Sequence, residues 1–217
     1  MRTNGYFNKN GPNRKGFTLV ELVTVLAIIA VLAAIIVPNL LKLIEKANNT
    51  RDANEAKDIG KLIMAEAAIC DDLNLYNPWS TNLDADGTSS WGYVYVGKDD
   101  VRTSSKQMMQ ILIDNGYVKP NATIRRRGGD VPGEGEQQVY KKDTRLMCHS
   151  NHNWLAYEIH FRIMPDGNLD ISYCATKAGT NQLAEADADE KATALFCKFA
   201  AGHTDDFAIE HANQNKH

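Results

Sequence analysis

The chain has 217 residues, of which 43% are apolar, and a formal net charge of −3. This small acidic excess argues against nucleic-acid binding driven by net charge. The sequence contains no nucleophilic serine elbow, glycine-rich nucleotide motif or HExxH motif, so it indicates no catalytic set.

The first predicted element is an apolar helix that follows a basic leader. The leader, residues 1–16, has no acidic residue and four basic ones, which are Arg2, Lys9, Arg14 and Lys15. Residues 17–41 are almost entirely apolar and have the roughly 20-residue length of a membrane helix. Because basic flanks stay on the cytoplasmic side, we expect a single-pass precursor in the cytoplasmic (inner) membrane. The rest of the chain would then lie outside the cytoplasm.

The junction between leader and helix carries a resemblance to a known family. Gly16-Phe17-Thr18-Leu19-Val20-Glu21, followed by an apolar helix with Pro38 near its end, resembles the class III signal of type IV prepilins and of pseudopilins. The resemblance covers about residues 14–41. It implies cleavage between Gly16 and Phe17 by a prepilin peptidase, N-methylation of Phe17, and a role in assembly for Glu21.

Two residues of the apolar segment have alternative explanations. Glu21 is an ionisable residue in a membrane segment, which usually indicates a functional partner. Its side chain either reaches the membrane interface or, after cleavage, pairs with the amine of Phe17 on a neighbouring helix and sets the register between subunits. Pro38 either marks the membrane exit or lets the helix bend in a filament. Both explanations predict a break near Val37.

Residues 42–76 are predicted to continue the helix in amphipathic form. Apolar residues recur at spacings of three and four, which predicts one face toward a globular head. They include Leu40, Leu41, Ile44, Ala47, Ile59, Leu62, Ile63, Ile69, Cys70 and Leu73. Charged residues such as Glu45 and Asp52 are expected to face solvent, and Gly60 is expected to weaken the helix locally.

Residues 77–217 are predicted to form a globular head of α+β class, in which the long helix packs on a small antiparallel sheet. We expect a strand at 91–97, a helix at 104–115 with Ser104 as its cap and Gly116 as its terminator, and a loop at 125–135. A second helix is expected at 184–200, and the carboxy-terminal tail, residues 208–217, is expected to be loosely ordered.

The clearest strand signal is the alternation at residues 155–163. Apolar residues there alternate with Ala156, Glu158, His160 and Arg162. A turn at 165–168 then leads into a second alternating run at 169–173, which predicts an antiparallel hairpin. One face of this hairpin should be apolar, and the other should be exposed to solvent.

Four cysteines follow the leader: Cys70, Cys148, Cys174 and Cys197. An even number of cysteines outside the cytoplasm suggests disulfides, and four cysteines allow three pairings. The resemblance to pilins, many of which close a carboxy-terminal loop with a disulfide, favours Cys174 with Cys197. Cys70 lies on the apolar stripe and fits a buried thiol.

Two short motifs contain metal-ligand residue types without an established spacing. Cys148, His149 and His152 would need a fourth ligand to bind zinc, and exposed loop histidines are the commoner explanation. Asn82, Asp84 and Asp86 resemble the start of a calcium loop, but its twelfth position is Tyr93 rather than a carboxylate. We therefore expect no cofactor, with zinc or calcium as the alternative.

These features predict a non-enzymatic subunit of a type IV pilus, which ends in an extracellular or envelope-spanning filament. The expected partners are copies of itself and other pilins, a prepilin peptidase/methyltransferase, an assembly platform with its ATPase, and the lipid bilayer before assembly. Nucleic acid is a further candidate at Arg125, Arg126 and Arg127, although a solvated charge run is the commoner explanation.

Two alternative functions stay open. The first is a pseudopilin of a type II secretion or DNA-uptake (competence) machine. The second is a membrane-tethered ligand-binding or enzymatic head, which would need a pocket of convergent polar groups.

Overall fold

The computed structural model describes residues 16–69, 91–127, 135–164, 168–176 and 190–204. It contains three α-helices within these ranges: α1 (Leu19–Ile69), α2 (Lys106–Asp114) and α3 (Glu190–Ala200). The strands are β1 (Trp91–Val96), β2 (Asp100–Thr103), β3 (Arg125–Arg127), β4 (Glu136–Tyr140), β5 (Ala156–Ile163) and β6 (Leu169–Thr176). A short 3₁₀ helix at Lys141–Asp143 follows β4.

The chain divides into two compact units. Residues 1–43 form the first and residues 44–217 form the second, with the boundary inside α1. In the second unit the strands form one antiparallel sheet in the order β3-β4-β2-β1-β5-β6. The α+β class is therefore confirmed.

The predicted hairpin is confirmed as β5 and β6. The two strands pair antiparallel from Ala156 with Thr176 to Ile163 with Leu169. Strand β1 pairs with the other edge of β5. Because side chains alternate between faces along a strand, Tyr157, Ile159 and Phe161 share one face of the sheet.

The main core lies on that face. Ala53, Ala56, Ile59 and Ile63 of α1 are buried there at spacings of three and four, as expected for one helix face. From α3, Phe196 stacks on Tyr157 with ring centroids 5.0 Å apart. The core thus joins the second half of α1, the sheet and α3.

The stripe of α1 that faces the core differs from the expected one. Leu40, Leu41 and Ile44 are exposed, whereas the buried residues of α1 begin at Asn49. Asp52 was expected to face solvent but is 0% exposed. The spacing identified an amphipathic helix correctly but placed the start of its buried face too early.

The polar face of the hairpin also differs from expectation. Glu158 is 4% exposed and His160 is 2% exposed, although both were expected to face solvent. Alternation along a strand shows which residues share a face. It does not show whether that face is covered.

Other elements were placed approximately or missed. Helix α2 is capped by Ser105, whose hydroxyl accepts from the amide of Met108 at 3.1 Å, rather than by Ser104. Gly116 ends this helix with a positive φ of 77°, a conformation that favours glycine. Part of the expected loop at 125–135 is strand β3, and its residues 128–134 lie outside the described part of the chain, as do 184–189 and the tail.

Candidate functional site

The helix α1 begins with a reciprocal cap between Thr18 and Glu21. The carboxylate oxygen Oε2 of Glu21 accepts from the backbone N–H and from the hydroxyl of Thr18, both at 2.8 Å. The Thr18 hydroxyl in turn accepts from the amide of Glu21 at 3.3 Å. This is a capping box, in which a threonine and a glutamate three residues later satisfy the free donors at a helix start.

The segment after this cap exposes apolar side chains on every side. The large hydrophobic residues from Leu19 to Ile44 are all exposed, and α1 is long and apolar enough to cross a membrane. Its polar Thr24 donates its hydroxyl to the carbonyl of Val20 at 2.8 Å. When apolar groups surround α1, the Thr24 hydroxyl therefore needs no hydrogen-bond acceptor outside the helix.

The comparisons with known proteins concern this same segment. Residues 11–37 match the family model of the prokaryotic N-terminal methylation motif. Over 38 residues the chain is 60% identical to the type IV wide pilus major component PilA4 of Thermus thermophilus. The amino-terminal segment of the chain is therefore type IV pilin-like and carries the N-terminal methylation motif.

The pilin-like match is confined to a small part of both proteins. It spans 18% of this chain and 29% of the length of the Thermus relative. No solved structure gives a significant match.

The assembly residues expected from the pilin-like motif lie at or near the start of α1. Gly16 and Phe17 are exposed and precede the helix, and Glu21 lies in its first turn. Cleavage after Gly16, methylation of Phe17 and the register role of Glu21 stay predictions. Helix α1 continues through Pro38 to Ile69, and the expected kink at Pro38 stays a prediction.

The head binds α1 through a buried carboxylate, Asp52. Its Oδ1 accepts from the backbone N–H of His149 at 2.7 Å and lies 2.9 Å from the ring atom Nδ1 of the same residue. Its Oδ2 accepts from the backbone N–H of Ser150 and from Nε1 of Trp154, both at 2.9 Å. A buried carboxylate needs such donors to offset its loss of hydration.

A second carboxylate of α1, Glu45, holds the next residues of the same loop. Its Oε1 accepts from the Ser150 hydroxyl at 2.7 Å and from the backbone N–H groups of Asn151 at 3.1 Å and His152 at 2.9 Å. Burial raises the pKa of Glu45, but these hydrogen bonds outweigh it, and the net pKa shift is downward. We call residues 148–154 together with Glu45 and Asp52 the anchoring site.

The zinc candidates are part of this anchoring site. Cys148 and His149 both contact Asp52, whereas the side chain of His152 is exposed and its backbone N–H points to Glu45. The three side chains do not converge on one point. The calcium candidates Asn82, Asp84 and Asp86 lie outside the described residues.

The expected disulfide is not formed in the structure. Cys174 and Cys197 are both thiols. Cys174 lies on the polar face of the sheet, opposite Glu158, whereas Cys197 lies on α3 at the apolar face and donates to the carbonyl of Tyr173. The sheet separates the two sulfur atoms, because successive side chains of β6 point to opposite faces.

Two of the thiols have a raised pKa and are therefore weakly reactive. Burial and the neighbouring Asp52 raise the pKa of Cys148, and burial raises the pKa of Cys197 to about 11. Both cysteines are therefore protonated at neutral pH and are poor nucleophiles. Cys70 lies outside the described residues.

The arginine run is part of the sheet. Arg125–Arg127 form the edge strand β3, which pairs with β4. The guanidinium of Arg125 lies over the ring of Tyr140 at 4.9 Å and donates to its hydroxyl at 3.1 Å. Arg125 is thus engaged within the head.

Sequence reasoning missed both the capping box and the anchoring site. The first has a local signal, Thr-x-x-Glu before an apolar run. The second has none, because Glu45 and Asp52 meet donors about a hundred positions later in the chain.

Proposed function

We propose that this chain is a structural subunit of a type IV pilus, cleaved after Gly16, methylated on Phe17 and polymerised through the apolar half of α1. The main support is the exposure of every large apolar side chain between Leu19 and Ile44. Such a surface is unstable in water and needs either a bilayer or other helices around it. A membrane would hold the subunit before assembly, and neighbouring subunits would cover it afterwards.

The capping box leaves one carboxylate oxygen of Glu21 available for a contact with a neighbouring subunit in such a filament. Both bonds from Thr18 go to Oε2, so they leave the other oxygen, Oε1, to face a neighbour. A neighbour's Phe17 amine could approach that oxygen while the helix start stays capped. The cap and the register pair are then compatible roles of a single carboxylate.

Paired substitutions separate these two roles. Glu21→Ala removes both the cap and the register partner, whereas Thr18→Val removes the threonine hydroxyl and leaves the carboxylate. Losing a cap of this kind costs about 0.5 to 2 kcal/mol of helix stability. We expect native cells with Glu21→Ala to form no filaments and cells with Thr18→Val to form them at near wild-type levels.

Electron microscopy with an antibody to the head measures the outcome, and mass spectrometry of the exported chain checks that each variant is cleaved to methylated Phe17. Normal filaments with Glu21→Ala would remove the register role. If both variants lose filaments equally while cleavage is intact, Glu21 acts only as a helix cap. An amino terminus other than methylated Phe17 would contradict the proposed processing.

The same images address the alternative role as a pseudopilin. Labelling along long fibres is the result expected of an abundant pilus subunit. Labelling confined to the envelope would instead assign the chain to a secretion or DNA-uptake machine, which shares the same assembly residues.

A further inference from the structure

The polar face of the β5–β6 hairpin contains three buried side chains whose ligand atoms converge. We infer that Glu158, His160 and Cys174 form a zinc-binding site. Oε2 of Glu158 lies 3.4 Å from Nε2 of His160 and 3.8 Å from Sγ of Cys174. All three ligand atoms lie within 4.8 Å of one another.

The pairing of the two strands brings these residues together. Glu158 and His160 are two positions apart on β5, so their side chains leave the same face of the sheet. Cys174 is the direct cross-strand partner of Glu158 on β6. Directly opposite residues of an antiparallel pair lie on one face with Cβ atoms about 4.5–5.5 Å apart. The backbone therefore places the three side chains next to one another on one face of the sheet.

The observed spacing fits a tetrahedral ion. Zinc binds oxygen and nitrogen at about 2.0 Å and thiolate sulfur at about 2.3 Å, which places ligand atoms of a tetrahedron roughly 3.3–3.6 Å apart. Two separations in the structure, 3.4 Å and 3.8 Å, are within a few tenths of an ångström of this range. The third, between the ligand atoms of His160 and Cys174, is at most 4.8 Å. Small side-chain rotations would complete the geometry.

The ligand types favour zinc over the common oxygen-binding cations. Calcium and magnesium prefer carboxylate, carbonyl and water ligands, whereas thiolate and imidazole suit zinc. Cys174 loses its proton when it binds the ion, and that proton is released to solvent. Three protein ligands leave a fourth coordination position for a water molecule or another group.

The surroundings hold the ligands in place and exclude bulk water. Glu158, His160 and Cys174 are 4%, 2% and 3% exposed. The ring of Tyr93 stacks on His160 with centroids 6.2 Å apart, and Tyr93 is the cross-strand partner of His160 on β1.

A second group of ligand types, Asp52, Glu55 and His149, is less suitable. Both oxygens of Asp52 already accept hydrogen bonds from the 148–154 loop. A metal ion there would have to displace bonds of the anchoring site. The two groups are nevertheless distinguishable by experiment.

The test uses the full chain in detergent, stripped with a chelator and titrated with zinc or cobalt. We expect one zinc ion per chain by elemental analysis, and a cobalt spectrum with the thiolate-to-metal charge-transfer band of a tetrahedral site. Cys174→Ser should abolish that band, and His160→Gln should weaken binding at least about tenfold. Matched controls are Cys197→Ser, on the opposite face, and His152→Gln, on the surface.

Retention of zinc and of the thiolate band by Cys174→Ser and His160→Gln would overturn the inference. So would loss of the ion with His149→Gln, which would place it beside Asp52, or the absence of stoichiometric binding. Circular dichroism checks that each variant folds. For a variant that does not fold, thermal unfolding of the wild-type chain decides: zinc should raise Tm and magnesium should not, and no rise with zinc would contradict the site.

Discussion

At the scale of single residues, two carboxylates of α1 satisfy donors from one loop of the head. Glu45 and Asp52 lie two helical turns apart, so both side chains point to the same side of the helix. Asp52 is fully buried and its bonds include the indole N–H of Trp154, whereas Glu45 is partly exposed. Their contributions should therefore differ in size and in their sensitivity to solvent.

The lowered pKa of Glu45 predicts how its contribution depends on pH. A carboxylate whose folded-state pKa is below its ordinary value of 4.5 stabilises the fold above that value and loses this effect as the pH falls through the folded-state pKa. We expect Glu45→Gln to lower the free energy of unfolding by about 1 kcal/mol at pH 7, after allowance for solvent screening. At pH 3 the difference from wild type should shrink toward zero.

Urea denaturation followed by tryptophan fluorescence at both pH values measures this difference. Burial raises the pKa of the nearby Glu55, which affects stability in the opposite sense as the pH falls. Comparing variant with wild type cancels that effect, because both chains contain Glu55. Asp58→Asn, at an exposed position of the same helix, is the matched control and should change stability little. A difference that is the same at pH 3 and pH 7 would show that the charge of Glu45 is not involved.

Residue-level contacts were predictable from the sequence only where they are local. The Thr18–Glu21 cap is a four-residue pattern, and the sequence contains everything needed to read it. The anchoring site joins α1 to a loop far along the chain, so no local pattern indicates it. A charged residue in an amphipathic helix is normally solvated, and Asp52 is buried only because the loop supplies its donors.

At the scale of elements, the predictable part of the fold is the part with strong periodicity. The β5–β6 hairpin was predicted because eight-residue strands show a clear alternation. Strands β2 and β4 were missed, since Asp100–Thr103 and Glu136–Tyr140 are short and rich in polar residues. Their pairing with each other, rather than their own propensity, makes them strands.

Helix α1 approaches β6 closely at Gly60, which gives that residue a packing role. A Cβ atom placed there would lie 3.0 Å from the hydroxyl oxygen of Tyr173 and 3.6 Å from Ile171. The first distance is tight, but a side-chain end can move by a few tenths of an ångström. The sequence indicated only that Gly60 weakens the helix. In the structure, the absence of a side chain at Gly60 allows α1 to lie close to Tyr173 and Ile171 of β6.

This close approach predicts a dependence between two positions. Gly60→Ala should gain about 0.5–1 kcal/mol of helix stability and lose a similar amount against the Tyr173 hydroxyl, so its net effect should be small. In a Tyr173→Phe background the same change should become stabilising by about 0.5–1 kcal/mol. Gly60→Leu should cost about 1–3 kcal/mol through overpacking.

Chemical denaturation of the four chains in this cycle gives the coupling free energy. Ala65 lies on the exposed side of α1. Ala65→Gly therefore measures the effect of glycine on helix stability alone, and it should lower the free energy of unfolding by about 0.5–1 kcal/mol. If Gly60→Leu leaves stability unchanged, α1 does not pack against β6 at this point.

At the scale of the whole molecule, the two compact units differ in whether their large apolar side chains are exposed or buried. The first exposes its large apolar side chains, whereas the second buries a core that includes residues of all three helices. Residues 44–217 contain 19 basic and 26 acidic residues, a formal charge of 19 − 26 = −7. Because this unit is negatively charged and has its own core, we expect it to fold and to stay in solution without the apolar unit.

Graded truncation tests this division. A chain that starts at Ile44 keeps both Glu45 and Asp52, and Glu45 is then favourably placed in the first helical turn. We expect this chain to be soluble without detergent and to unfold with the same free energy as the head of the full chain.

A chain that starts at Asn49 loses Glu45 and should be less stable by about 1 kcal/mol. A chain that starts at Ala53 also loses Asp52, which leaves buried donors such as Trp154 Nε1 without an acceptor and should cost roughly 3 kcal/mol more. Urea denaturation orders the three chains, and equal stability of all three would mean that the carboxylates of α1 do not hold the head. Aggregation of the chain that starts at Ile44 would instead show that the head needs the apolar unit, because every carboxylate of the anchoring site is still present in that chain.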